Sequence, residues 1–160
     1  MQNTPLAVKI TIQPPAVTAK EDDPMIHIIM GLKGTGKTKT LINLVNGALE
    51  VTKGDVVCIE KGDKLRFDIS YQCRLIDTNE YAVSDAETLY GFVAGILASN
   101  HDVTDLFIDS ALKICKDDLT AFEPVLDKIN ALCEKCNVKC VITSSLDVAA
   151  ATDALKKYIK

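Results

Sequence analysis

Met25-Ile26-His27-Ile28-Ile29-Met30-Gly31-Leu32-Lys33-Gly34-Thr35-Gly36-Lys37-Thr38 joins an apolar run to a glycine-rich turn, and a helical pattern follows it. The run has the length and composition of a buried strand. Residues Gly31 to Thr38 satisfy every specified position of the spacing G-x-x-x-x-G-K-[ST]. A strand that ends in such a turn lets successive backbone N–H groups, from about Gly34 to Thr38, converge at a helix N-terminus, where the dipole also favours an anion. That concavity fits a phosphate. Lys37 would reach the β- and γ-phosphates as a mobile point charge, and the Thr38 hydroxyl would ligate Mg²⁺.

Outward from this stretch, strands and helices alternate. Leu41, Leu44, Val45 and Ala48 make an apolar helical stripe after the turn. Asp55 to Glu60 reads as a second buried strand, and Arg74-Leu75-Ile76 as a short third. Ser84 and Glu87 form a possible capping box for a helix carrying Leu89, Phe92, Val93, Ile96 and Leu97. Asp105-Leu106-Phe107-Ile108-Asp109 is a strand bounded by carboxylates. A helix from about Thr120 to Cys136 follows, with Thr120 and Glu123 as its cap and Pro124 in its first turn. Lys139 to Thr143 is a further strand, and Asp147 is placed to cap a final helix with Val148, Leu155, Tyr158 and Ile159. Near-continuous apolar strands between helices imply an α/β fold: a three-layer sandwich with a mainly parallel central sheet.

Residues 1–24 differ from the rest. Leu6, Val8, Ile10 and Ile12 alternate with Ala7, Lys9, Thr11 and Gln13, a period-two strand ended by Pro14-Pro15. A polar linker with the acidic patch Glu21-Asp22-Asp23 leads to Pro24. The expected arrangement is an N-terminal edge strand on the same domain, the alternative an arm that pairs with another chain. The nucleotide-binding domain is expected over 25–160.

The 160 residues are 48% hydrophobic and 25% charged, which suits one domain with a real core. A formal charge of -4 disfavours a nucleic-acid or anionic-membrane surface. No apolar stretch approaches the roughly 18 residues of a membrane span, and the first residues lack a signal-peptide pattern, so a soluble cytoplasmic protein is expected. Cys133, Cys136 and Cys140 have no second C-x-x-C pair to complete a tetrahedral metal site, and Cys58, Cys73 and Cys115 are scattered. Cys133, Cys136 and Cys140 are all read as small core residues, and the thiols as reduced.

Ligands of a parallel sheet bind at the carboxyl ends of its strands. Asp109 closes an apolar strand roughly 70 residues beyond the turn, where a second acidic Mg²⁺ partner belongs. Thr143-Ser144-Ser145 ends the next strand; its hydroxyls would contact the γ-phosphate or attacking water, or start a turn.

Gly31 to Thr38 thus resembles a Walker A motif, and Leu106-Phe107-Ile108-Asp109 resembles a Walker B strand. Together they imply the P-loop NTPase superfamily. The element order is similar to a reduced RecA-like core, with thymidine kinases a more distant likeness and small bacterial ATP-binding proteins a further one. The resemblance implies ATP and Mg as ligands. It also implies nucleotide contacts from Gly31, Lys33, Gly34, Thr35, Gly36, Lys37, Thr38 and Lys39, metal contacts from Thr38 and Asp109, and catalytic roles for Lys37 and Asp109. Lys33 is offset by one place from the extra lysine of a deviant Walker A motif, and Lys39 is read as a helix lysine. Asp109 is followed by Ser110-Ala111-Leu112 rather than by the glutamate common in RecA-like ATPases, and no Asn-Lys-x-Asp guanine motif is present. Arginines are few, and neither Arg66 nor Arg74 stands in a finger context. The expectation is Mg-dependent ATP binding with slow hydrolysis, completed by a protein partner or homodimer. The alternatives are a small-molecule phosphotransferase, with Asp63 or Asp85 as base beside Glu60-Lys61-Gly62-Asp63-Lys64, and a nucleotide-binding module without turnover.

Overall fold

The computed structural model describes residues 23–159. The expected strand over Leu6 to Ile12 and most of the linker lie outside the described residues. Five strands, β1 (Ile26–Gly31), β2 (Asp55–Glu60), β3 (Arg74–Asp77), β4 (Val103–Ile108) and β5 (Lys139–Ser145), form one sheet in the order β1-β5-β4-β2-β3. Every pairing is parallel. The helices are α1 (Lys37–Val51), α2 (Ala86–Ser99), the single turn α3 (Ala111–Ile114), α4 (Leu119–Cys136) and the single turn α5 (Asp153–Lys156).

The strands read as continuous apolar runs because both faces of the sheet are covered. In β2, Val57 and Ile59 join Leu106, Ile108 and Ile142 in the larger core, with α2 (Leu89, Val93) and α4 (Leu126, Ile129). Val56 and Cys58 turn the other way and pack with Phe107, with Leu41 and Val45 of α1, and with Leu65 and Ile69 of the loop after β2. The sheet is therefore the middle layer of three. Beyond β1, Ile28 donates its N–H to the Tyr158 carbonyl, and Ile159 lies in a parallel bridge beside Ile28. Among the described residues no helix is long and apolar enough to cross a membrane.

The core strands match the sequence expectation to within two residues at their ends; the caps and one helix do not. Asp85, not Ser84, caps α2, because its carboxylate accepts the Thr88 N–H at 2.8 Å while the Thr88 hydroxyl oxygen accepts the Asp85 N–H. Asp118, not Thr120, caps α4, so Pro124 sits in the helix interior rather than in its first turn, on the exposed side. The final helix expected from Asp147 onward is a 3₁₀ turn, Val148–Ala150, followed by the one-turn α5. Leu44 is 42% exposed rather than part of the core stripe. Cys133 and Cys140 are buried as expected, but Cys136 is exposed rather than a core residue, because it is the last residue of α4, beyond the helix's last buried position at Cys133.

Candidate functional site

Parallel register sets up the site. Glu60 pairs with Asp77, Ile59 with Ile108, and Ile108 with Ile142. One residue further on, Glu60, Asp109 and Thr143 therefore form a row across the carboxyl ends of β2, β4 and β5, on the side that α1 covers. The ladder continues past β4, since the Asp109 N–H donates to the Ile59 carbonyl at 2.8 Å.

The loop between β1 and α1 faces this row. Gly34 (φ 85°) and Gly36 (φ 84°) hold the left-handed conformation that side chains resist, and a Cβ at either would meet nothing within 4 Å, so the backbone and not crowding asks for glycine. Gly31 is different: a Cβ there would stand 2.6 Å from the Thr35 hydroxyl. That hydroxyl and the Lys37 ammonium both donate to the Leu32 carbonyl, at 2.7 and 2.8 Å, which curls the loop. The first turn of α1 carries no acidic residue and Gly36 offers no side-chain cap, so the helix dipole there meets no carboxylate of its own segment.

Asp109 is the hub. Its Oδ1 accepts the Thr143 hydroxyl at 2.7 Å and the Thr38 hydroxyl at 3.3 Å, and its Oδ2 accepts the Ser110 hydroxyl at 3.3 Å. Thr143 in turn accepts the Ser110 N–H at 2.8 Å, which holds Ser110 at φ 54° and turns the chain sharply into α3. The Thr38 and Asp109 oxygens are close enough to share one small hard cation. No group of three or more His, Cys, Asp or Glu among the described residues could hold a metal. Two neighbouring protein oxygens are the kind of donor set that magnesium takes together with waters and phosphate, as distinct from an all-protein cage.

A cleft of about 620 Å³ opens over the loop. Lys33, Gly34, Gly36, Lys37 and Thr38 line it from one side, and Asp109 and Thr143 form part of its floor. Lys39 is exposed on α1 and, like Gly31 and Thr35, is not among the lining residues. Asp63 and Asp85 do not line the cleft either. Asp63 lies 3.8 Å from Arg66, and the Thr88 N–H and hydroxyl hold the Asp85 carboxyl below the usual range.

Three residues of the site were not singled out by the sequence reading, which named Glu60 and Lys64 only within the 60–64 segment beside a phosphoryl acceptor and Lys113 not at all. Glu60 is 2% exposed, and its carboxylate accepts the Leu65 N–H at 3.1 Å. Burial raises its pKa, the Leu65 and Lys64 N–H groups oppose that, and the Asp109 and Asp77 charges add to it. Lys64 and Lys113 line the cleft from the ends of β2 and β4. A carboxylate closing an apolar strand was the available signal for Glu60, as it was for Asp109; its neighbour in the row was not. The chain matches no protein-family model and no curated protein.

Proposed function

We propose that this chain binds a magnesium–nucleoside triphosphate, ATP by preference, as a P-loop NTPase of reduced RecA-like form, and hydrolyses it slowly or uses it as a switch. The observation that carries this reading is the meeting of the glycine-rich loop with Asp109: the left-handed Gly34 and Gly36, Lys37, and the hydrogen-bonded Thr38 and Asp109 oxygens line one cleft. Lys37 and the loop would hold phosphate, and Thr38 with Asp109 would hold magnesium, which neutralises charge on the phosphates when bound. The preference for ATP rests on the missing guanine motif. Slow turnover follows from the residues near Asp109. Ser110 follows it where an activating carboxylate would stand, and Glu60, the carboxylate beside it in the row, is buried and committed to the Leu65 N–H. Glu60 is thus a positioning residue for the 61–65 turn rather than a ready base. The phosphotransferase alternative loses support, because Asp85 is spent on its helix cap and Asp63 faces Arg66. A protein partner or second copy would raise the rate by completing the site. Cysteines free of disulfides among the described residues, five of them buried, suit a reducing cytoplasm.

The test is calorimetric titration with ATP, GTP and ADP, with and without Mg²⁺, on the wild type, Lys37→Ala and Asp109→Asn, followed by phosphate release. Lys37→Ala should abolish measurable binding, and Asp109→Asn should remove most of the Mg²⁺ dependence. Unchanged Mg-ATP affinity in Lys37→Ala refutes the reading.

A further inference from the structure

The cleft contains more positive charge than the glycine-rich loop supplies. Four lysines, Lys33, Lys37, Lys64 and Lys113, line it against two aspartates, Asp109 and Asp117, in a chain whose formal charge is -4. Lys33 and Lys37 belong to the loop. Lys64 and Lys113 come from other segments, the turn after β2 and the single turn α3 after β4, and each stands on a rigid support.

Lys113 is the exposed residue of α3, whose other three, Ala111, Leu112 and Ile114, are at most 5% exposed and packed in the larger core. The turn is fixed at its start by the Ser110 N–H on Thr143 and at its end by the Asp117 N–H on the Leu112 carbonyl, at 2.9 Å. Lys64 precedes Leu65, which is 3% exposed in the smaller core and tethered by its N–H to Glu60. The Gly62 N–H donates to Asp77 Oδ1 at 2.8 Å and pins the other end of that turn. Neither lysine makes a salt bridge among the described residues, although Asp117 lines the same cleft. Two lysines anchored at the backbone, without a carboxylate partner in a salt bridge and lining one cleft with a phosphate-type loop, are suited to an anion that projects beyond that loop.

We propose that Lys64 and Lys113 are specificity-determining residues that contact the terminal phosphate of a nucleotide bound in this cleft and so select a triphosphate over a diphosphate. This rests on the nucleotide reading of the cleft. The pair supplies in cis a positive charge that the two arginines do not.

The experiment compares ATP and ADP dissociation constants, both with Mg²⁺, for the wild type, Lys64→Ala, Lys113→Ala, the double variant, Lys113→Arg and Lys37→Ala. Losing one charge-assisted contact to phosphate should cost about tenfold. Each alanine variant should therefore lower the ATP-over-ADP preference by about tenfold with ADP affinity and melting temperature unchanged, and Lys113→Arg should keep it. A merely structural role would weaken both nucleotides together and leave the ratio alone. If Lys37→Ala weakens both nucleotides while the ratio survives in Lys64→Ala, Lys113→Ala and the double variant, the lysine assignment is overturned and the nucleotide reading stands. If Lys37→Ala changes neither affinity, both are overturned.

Discussion

Thr143→Val removes one hydroxyl and keeps the side-chain shape, which makes it the sharpest test of the Asp109 hub. Thr143 is 1% exposed, and its hydroxyl both donates to Asp109 at 2.7 Å and accepts the Ser110 N–H at 2.8 Å. A hydrogen bond to a charged group contributes about 1.5–3 kcal/mol, and the lower figure applies because Asp109 is only half-buried and water can replace the donor. The orphaned Ser110 N–H, also half-buried, costs about 1 kcal/mol more. Burying a methyl instead of a hydroxyl returns somewhat under 1 kcal/mol. The net loss is about 1.5–2 kcal/mol, which for a chain of this size lowers Tm by about 4–7 °C. Urea denaturation at constant m-value reads the loss directly, and Mg-ATP titration of the same variant should show weakened metal dependence, because Asp109 loses its best-aligned donor. Thr143→Ser, which keeps the hydroxyl, should stay within about 1 kcal/mol of wild type. If Thr143→Val stays within about 0.5 kcal/mol of wild type and keeps its Mg²⁺ dependence, the hub reasoning is wrong.

Gly36→Ala isolates backbone strain, since φ is 84° and no neighbour stands within 4 Å of the added Cβ; it should cost about 1–2 kcal/mol by thermal melt and weaken nucleotide binding as the N–H nest opens. Glu60 has a folded-state pKa above its ordinary 4.5, so the folded protein holds that proton more tightly than the unfolded chain. Its contribution to stability therefore falls as pH rises from about 4.5 through the raised value. Glu60→Gln, whose amide oxygen can still accept the Leu65 N–H, should remove that component of the decline in urea titrations at successive pH values; an unchanged pH profile would refute the assignment. Tyr158→Phe deletes the hydroxyl that donates to Asp127 at 2.5 Å, and should cost about 1 kcal/mol and speed hydrogen exchange at the Ile28 amide, which bonds the Tyr158 carbonyl.

Local chemistry made much of this legible. The unbroken apolar runs of β2 and β4 announced strands covered on both faces, and glycines at 34 and 36 announced a turn that only they adopt cheaply. Asp109 was legible because a carboxylate closing such a run needs a reason. The helix starts were less so: Asp85 and Ser84, or Asp118 and Thr120, have similar capping chemistry, and the choice depends on where packing of Leu89 or Phe122 sets the helix phase. The long final helix failed because Tyr158 and Ile159 found bonding partners in β1 instead of continuing a helical ladder.

Gly31–Thr38 and Asp109 could each be recognised from neighbouring residues, since turn conformation and strand burial are set within a few positions along the chain. Strand order and register could not. They depend on which apolar faces pack together, a comparison among residues tens of positions apart that leaves no local periodicity. That packing put β5 between β1 and β4, gave Asp109 one hydroxyl from β5 and one from α1, and lined up Glu60 beside it. The same packing carried Lys64 and Lys113, ordinary lysines in the chain, to the cleft that the glycine-rich loop lines.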